Sequence, residues 1–180
     1  MVAPSELIVV GLGSNLGDTH AHLRAALEGL RRLDKSLRLR LRSVSPLYRT
    51  VPWQAQGPDF INAVVVLEGT GDERAPSALL HELQAIEASR DRARPYRYAP
   101  RSLDLDLILF GLRVRDTPEL QLPHPRALER AFVLQPLQDV LPNLNWPGLG
   151  LKWRDRLQAL SDPPPQRLQD PEWPALEFLE

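Results

Sequence analysis

Apolar and polar residues follow strand periodicity in four parts of the chain. Leu7–Gly11 and Phe60–Glu68 are nearly continuous apolar runs, which predict buried strands. Leu37–Arg42 alternates strictly between leucine and arginine, so it predicts a strand with one arginine face that is exposed to solvent. Leu103–Leu107 alternates leucine with aspartate and then continues as an apolar run through Phe110. These segments predict a sheet with central and edge strands.

Helical spacing separates the predicted strands. A helix is expected after Asp18 or Thr19, either of which suits an N-cap, and a second helix over Pro76–Ala88. Arg126–Val140 carries further helical character, and Leu112–Val114 follows Gly111 as a possible hairpin strand. The order β-α-β-β-α-β predicts an α+β, ferredoxin-like core. In that core, helices pack on an antiparallel sheet in three layers, α-β-α.

Two segments lack periodicity. Gly11–Asp18 contains three glycines and is predicted to be a loop after the first strand. The last twenty residues contain five prolines, which predicts a tail packed loosely through Trp173 and Phe178. We therefore expect a single domain over residues 1–160 and a Pro-rich C-terminal tail over residues 161–180.

Composition narrows the classes of function. The chain has 180 residues, a net charge of -1, no cysteine and no apolar run of membrane-spanning length. The absence of cysteine excludes disulfides, thiolate zinc sites and cysteine nucleophiles. A near-neutral balance argues against nucleic-acid binding, and nothing points to a membrane. We expect a cytoplasmic monomer that acts on small molecules.

The segment Arg90–Phe110 carries the strongest chemical signal. Five arginines lead into Asp104 and Asp106, which a strand places on one face, about 7 Å apart. Two adjacent carboxylates repel each other unless a cation lies between them, and they suit Mg²⁺ completed by phosphate oxygens and water. A solvated polar face is the alternative. Carboxylates and arginines together are typical of phosphoryl transfer.

Asn62 is unusual because it interrupts an apolar strand. A buried amide needs hydrogen-bonding partners, which the backbone or a flat heterocycle could supply. Phe60 and Phe132 are candidate stacking faces for such a ring, although single aromatic residues more often belong to a core. Further along the chain, His124 and Arg130 offer donors that suit phosphate.

Two other functions fit parts of the pattern. Gly11–Gly17 has the form Gly-x-Gly-x-x-x-Gly, a weak match to a dinucleotide-binding loop, and arginines on the next strand would suit NADP. The arginine strand and loop would suit a nucleic-acid-binding module, but the chain lacks the aromatic pattern of such a module. No P-loop motif occurs.

These residues together resemble the 6-hydroxymethyl-7,8-dihydropterin pyrophosphokinase family of folate biosynthesis. The matching segments occur in family order and are GLGSNLG (11–17), SPLYRT (45–50), PDFIN (58–62), Ile86-Glu87, PRSLDLD (100–106) and PHPR (123–126), with similarity continuing to Leu137. The resemblance implies an ATP- and Mg²⁺-dependent diphosphotransferase. It would transfer pyrophosphate from ATP to 6-hydroxymethyl-7,8-dihydropterin and release AMP.

The resemblance also implies roles for individual residues. Asp104 and Asp106 would bind two Mg²⁺ ions, and Arg92 and Arg101 would hold the phosphates as catalytic arginines. The remaining ATP-binding residues would be Gln84, Glu87, His124 and Arg130. The pterin would contact Thr50, Val51, Trp53, Phe60, Asn62 and Phe132. Segments 54–57 and 90–98 would be mobile lids.

The chain departs from the family at a few positions. Tyr98-Ala99 stands where tryptophan and glycine are usual, and Trp53 stands where a smaller apolar residue is common. The first lid is about one residue shorter, and the tail has no family counterpart.

Overall fold

A computed structural model describes residues 5–52, 57–90, 102–161 and 163–174 of the chain. The strands are β1 (Glu6–Ser14), β2 (Leu39–Val44), β3 (Tyr48–Thr50), β4 (Phe60–Gly69), β5 (Asp104–Phe110), β6 (Arg115–Asp116), β7 (Gln121–Leu122) and β8 (Gln166–Arg167). The helices are α1 (Thr19–Leu37), α2 (Ala75–Ala88), α3 (Ala131–Val140) and α4 (Trp153–Ala159), and a short 3₁₀ turn covers Ala127–Glu129.

The main sheet has the order β5-β1-β4-β3-β8. Strand β2 lies on the same edge of β4 as β3, and each of the two pairs with a different half of β4. All of its pairings are antiparallel. The apolar runs of β1 and β4 lie at the centre because their side chains are buried on both faces of the sheet. The ferredoxin-like core that the sequence predicts is confirmed.

Helices cover both faces of the sheet. Helices α1 and α2 pack on the face that carries Leu103, Leu105 and Leu107, which are buried as predicted. Helices α3 and α4 pack on the opposite face, against Val64 and Ile108. Asp104 and Asp106 belong to this second face but lie beyond the part that α3 covers. Within the described ranges, α3 and α4 leave that end of the face uncovered.

Local sequence explains the helix ends. Asp18 is the N-cap of α1, and its carboxylate accepts the N–H of Ala21 at 2.9 Å. Helix α1 continues through Leu37 and ends at Arg38, whose φ of 57° is left-handed, so β2 begins at Leu39 and not at Leu37. Arg40 and Arg42 of β2 pair with Glu68, so the arginine face is not simply solvated. The predicted helical segment near residue 126 divides into the 3₁₀ turn and α3.

Two predictions about irregular segments are wrong, and a third is confirmed only in part. Gly11–Ser14 is not a loop, because these residues pair with β4 on one side and, from Gly11 to Gly13, with β5 on the other. The small hairpin joins β6 to β7, while Leu112 and Val114 are exposed. The C-terminal segment packs through Trp173 as predicted, but over residues 163–174 the packing is not loose, because β8 extends the sheet. Phe178 lies outside the described residues.

No helix in the described ranges is both long enough and apolar enough to cross a bilayer.

Candidate active site

Gly11 and Gly13 lie at the end of the face that α3 and α4 leave uncovered, and we refer to their backbone as the glycine floor. Asp106 lies beside Gly11, and Asp104 lies beside Gly13, in the pairing of β5 with β1. Gly13 is also the partner of Asn62 in the pairing of β1 with β4. Because cross-strand partners point to the same face, both carboxylates and the amide surround a surface without side chains. The backbone of β1 is partly accessible at Gly11, whereas Gly13 is buried beneath Asn62 and Phe60.

Arg130 and His124 approach Asp106 from the chain before α3. Arg130 Nη1 donates to Asp106 Oδ2 at 3.0 Å, and His124 Nε2 lies 4.0 Å from Asp106 Oδ1. The guanidinium carbon of Arg130 also lies 5.5 Å from the ring centroid of Phe132. Arg130 is the N-cap residue of α3, so the start of that helix fixes its position. This arrangement places a cation and a hydrogen-bond donor next to the carboxylates.

Burial and neighbouring charges shift the pKa of His124. Burial lowers the pKa of its imidazole; the Asp106 carboxylate opposes this shift, and Arg130 and Arg126 add to it. The N–H of Arg126 donates to Nδ1 of His124 at 3.3 Å, which leaves the ring proton on Nε2. His124 therefore presents an N–H donor towards the carboxylates.

Asn62 is on β4 and the carboxylates are on β5, so β1 lies between them in the sheet. Its side chain is buried, and its Nδ2 donates to Thr50 Oγ1 at 2.9 Å. The sequence left two possible partners for this amide, the backbone and a flat heterocycle. The structure shows a third partner, the hydroxyl group of Thr50. A Cβ atom added at Gly13 would stand 3.2 Å from Asn62 Oδ1, so glycine leaves that oxygen room. The amide oxygen of Asn62 therefore lies close to the backbone of Gly13.

The predicted aromatic residues flank the same surface. Phe60 shares the face of Asn62, two residues earlier on β4, and both it and Phe132 are half-buried. Phe132 packs against the core beneath α3 and α4. Val51 directly follows Thr50 and is 59% exposed, so it is accessible to a ligand. Because both residues are half-buried, part of each ring stays accessible.

Residues of α2 support β5. Glu87 Oε1 accepts the N–H of Leu105 at 2.7 Å, which holds the strand between the two aspartates. Gln84 lies one turn earlier on α2 and is exposed. The structure thus gives Glu87 a positioning contact that sequence reasoning had not assigned.

Several predicted site residues lie outside the described ranges. These are Arg92, Arg101 and Trp53, together with Tyr98-Ala99 and most of both lid segments. Their roles remain predictions.

Sequence reasoning missed two buried polar residues at the end of β1. Ser14 Oγ donates to the carbonyl of Ser102 at 2.5 Å, just before β5. Asn15 Nδ2 donates to the carbonyl of Pro58 at 3.4 Å, just before β4. They link the beginnings of the two strands that carry the carboxylates and the amide. The sequence feature that could have identified them is a pair of small polar residues directly after an apolar strand.

Comparison with known proteins identifies similar chains. A family model described as 7,8-dihydro-6-hydroxymethylpterin-pyrophosphokinase matches residues 9–142. A protein of Pseudomonas aeruginosa named 2-amino-4-hydroxy-6-hydroxymethyldihydropteridine pyrophosphokinase is 44% identical over 141 residues, covering 78% of this chain and 83% of its own length. A Porphyromonas gingivalis protein with the same name is 40% identical over 144 residues, covering 77% and 93%.

Solved structures support the fold. A crystal structure of an HPPK-DHPS protein in complex with substrates aligns with a TM-score of 0.66 at 14% identity. The alignment covers 87% of this chain but 44% of that longer chain. At this level of identity, the likeness shows a shared fold.

Proposed function

The chain belongs to the 7,8-dihydro-6-hydroxymethylpterin-pyrophosphokinase family, and from that membership we propose that it transfers pyrophosphate from ATP to 6-hydroxymethyl-7,8-dihydropterin in folate biosynthesis. One observation carries the proposal beyond family membership: Asp104 and Asn62 lie on either side of Gly13. A metal–phosphate site and a heterocycle site would then be adjacent, as transfer between two substrates requires.

The donor set of β5 fits Mg²⁺. Asp104 and Asp106 are half-buried, share one face and contribute oxygen ligands, which Mg²⁺ prefers. The described part of the chain holds no group of three or more acidic or histidine side chains suited to a metal, so phosphate oxygens and water would complete the coordination. Two Mg²⁺ ions bound by these aspartates would neutralise charge on the phosphates of ATP.

Cationic and neutral donors of this chain would hold the phosphates. Arg130 is fixed beside Asp106, and the Nε2–H of His124 points to the same place. Arg92 and Arg101 would add two further charges as the transferring group becomes more negative. Gln84 and Glu87 would line the remainder of the nucleotide site, with Glu87 also holding β5 in place.

The pterin would lie on the glycine floor. The Asn62 amide, oriented by Thr50, would bond to the edge of the ring, and Phe60 and Phe132 would stack on its faces. Val51 and Trp53 would contact the same edge from the segment after β3. In this position the hydroxymethyl oxygen would attack the β-phosphorus of ATP. The bond between the β-phosphorus and the α-phosphate oxygen would break, so that AMP leaves and the pterin diphosphate forms with loss of the hydroxyl proton.

We also propose that residues 1–160 form the catalytic domain, that residues 161–180 form an attached C-terminal segment, and that the enzyme is a cytoplasmic monomer. The NADP alternative loses its support because Gly11 and Gly13 lie inside a paired strand rather than at a strand-to-helix turn.

Calorimetry with a non-hydrolysable ATP analogue tests the metal site. Asp104→Asn and Asp106→Asn keep the shape of each side chain but remove its charge, so each variant should lose most of the Mg²⁺-dependent part of the affinity. Asp34→Asn, an exposed position on α1, is the matched control and should bind as the wild type does. Unchanged Mg²⁺-dependent binding in both site variants would contradict the proposal.

A further inference from the structure

The described part of the C-terminal segment forms hydrogen bonds to the backbone at the junction between β2 and β3. Strand β8 pairs with β3, placing Arg167 opposite Tyr48. The N–H of Leu168 donates to the carbonyl of Leu47 at 2.8 Å. The indole Nε1 of Trp173 donates to the carbonyl of Ser45 at 2.8 Å. Residues 166–173 thus hold the backbone that leads into β3 and the beginning of β3 itself.

Side chains fasten the same segment to α1. Trp173 is 6% exposed and belongs to the core cluster beneath α1 and α2. Asp170 Oδ2 lies 2.7 Å from His20 Nδ1, and Glu172 Oε2 lies 3.4 Å from Arg24 Nη1. These contacts give the segment its own anchor, so it can restrain β3 and does not merely rest on it.

The short length of β3 and its contact with Asn62 make this restraint important. It has three residues, and without β8 its outer edge would be unpaired. Its last residue is Thr50, whose hydroxyl oxygen accepts the hydrogen bond that orients Asn62. Tyr48 is the cross-strand partner of Asn62. A small shift of β3 would therefore turn the amide away from the glycine floor.

Helix α3 contacts β3 from one face of the sheet, while β4 and β8 are its neighbours within the sheet. The hydroxyl of Tyr48 donates to the carboxylate of Asp139, and burial together with that carboxylate raises the pKa of Tyr48. Tyr48 thus connects β3 to the helix that begins beside Arg130 and Phe132. The C-terminal segment thus restrains β3 at its outer edge, and α3 restrains it from one face.

We propose that residues 163–174 form a strap that positions Thr50, and through it Asn62, for recognition of the pterin. The family model ends at residue 142, so this element lies outside the matched domain. The proposal rests on the pterin site of the proposed function. Loss of the strap should weaken pterin binding and leave the nucleotide site on β5 unaffected, because β1 and β4 separate that strand from β3.

Two tryptophans offer a matched test in the full-length protein. Trp173→Phe removes the indole donor to Ser45 and keeps an aromatic ring. Trp153→Phe is the control, because Nε1 of Trp153 makes an equivalent 2.9 Å bond to the carbonyl of Leu144 on the other side of the sheet. Both should reduce stability to a similar degree in urea unfolding. Only Trp173→Phe should weaken binding of a pterin substrate analogue, by about three- to tenfold, the effect of losing one hydrogen bond's restraint.

Hydrogen exchange supplies a readout that needs no ligand. Amides of residues 48–50 should exchange faster in Trp173→Phe than in Trp153→Phe, while amides of β5 should be equal in the two variants. Leu168→Pro, which removes the donor to Leu47, should reproduce the faster exchange. Equal exchange at residues 48–50 in the two tryptophan variants would overturn the strap.

Asn62→Ala in the same binding series separates the two proposals. Weakened pterin binding in Asn62→Ala, together with unchanged binding in Trp173→Phe, would overturn the strap and keep the pterin site. Unchanged pterin binding in Asn62→Ala would overturn the pterin site and the strap with it. Weakened pterin binding in both, with unchanged affinity for an ATP analogue, is the predicted result.

Discussion

Asn62 and Asp104 are both cross-strand neighbours of Gly13, one on each side of β1. The central strand therefore separates an amide from a carboxylate by the width of two strand spacings, roughly 10 Å. That span would accommodate a flat ring and its hydroxymethyl arm next to a metal-bound phosphate. Three adjacent strands thus bring the two proposed substrate sites together.

Gly13→Ala should weaken pterin binding more than Gly11→Ala. A Cβ at residue 13 would stand 3.2 Å from Asn62 Oδ1, so the amide must move, whereas a Cβ at residue 11 meets its nearest atom at an ordinary 3.6 Å. Both positions lie in the same strand, so changes in strand propensity are matched. Calorimetry with a pterin analogue measures the difference. Equal affinities for the two variants would show that the floor at Gly13 does not face the ligand.

Asn62→Ala should weaken binding of a pterin analogue by about 1–3 kcal/mol, the usual penalty for leaving a buried polar partner unpaired. The affinity for an ATP analogue should change little, because Asn62 contacts Thr50 and lies on the other side of β1 from the aspartates. Calorimetry with each ligand separately tests this. An equal loss for both ligands would indicate a structural role.

The strands that form this site were predictable because their periodicity is local. The alternation at Leu103–Leu107 places both aspartates on one face, and the structure confirms that the three leucines are buried. Asn62 was recognisable because it interrupts an apolar run. The continuation of β1 through Ser14 was not predictable, because glycines usually end a strand, while here β4 and β5 pair with them from both sides.

Arg130→Gln should weaken ATP-analogue binding by about 1.5–3 kcal/mol, as expected when a hydrogen bond to a charged group is lost. The guanidinium lies 3.0 Å from Asp106 and would be shared with phosphate oxygens. Arg74→Gln is the control, since Arg74 is exposed and precedes α2. Titration of both variants with the same analogue decides the matter. If the two variants bind alike, Arg130 has no role in holding phosphate.

Asp170→Asn should make stability less dependent on pH in the acid range. Burial opposes ionisation of Asp170, but the N–H of Glu172 and the His20 ring outweigh it and lower the pKa of Asp170. A carboxyl group with a lowered folded-state pKa stabilises the fold above its unfolded pKa and loses that contribution as pH falls through the folded pKa. The wild type should therefore be more stable than the variant at neutral pH, and the gap should narrow in acid.

Urea unfolding across that pH range measures the gap. Asp34→Asn, at an exposed position on α1, controls for loss of a carboxylate as such. A gap that stays constant from neutral to acidic pH would contradict the linkage.

Sequence patterns could not predict contacts between distant segments. Trp173 bonds to Ser45 across 128 positions, and Tyr48 bonds to Asp139 across 91. Strand β8 has two residues, too few to show periodicity, and it lies in a stretch whose prolines predicted a loosely packed tail. Its order comes from partners on α1 and β3, which no local pattern records.

Product analysis tests the central claim most directly. The enzyme is incubated with ATP, Mg²⁺ and 6-hydroxymethyl-7,8-dihydropterin, and the nucleotides are separated by chromatography. Attack at the β-phosphorus predicts AMP in amounts equal to the pterin diphosphate, with no AMP formed when the pterin is omitted. ADP as the main product, or ATP consumption that does not depend on the pterin, would contradict pyrophosphate transfer.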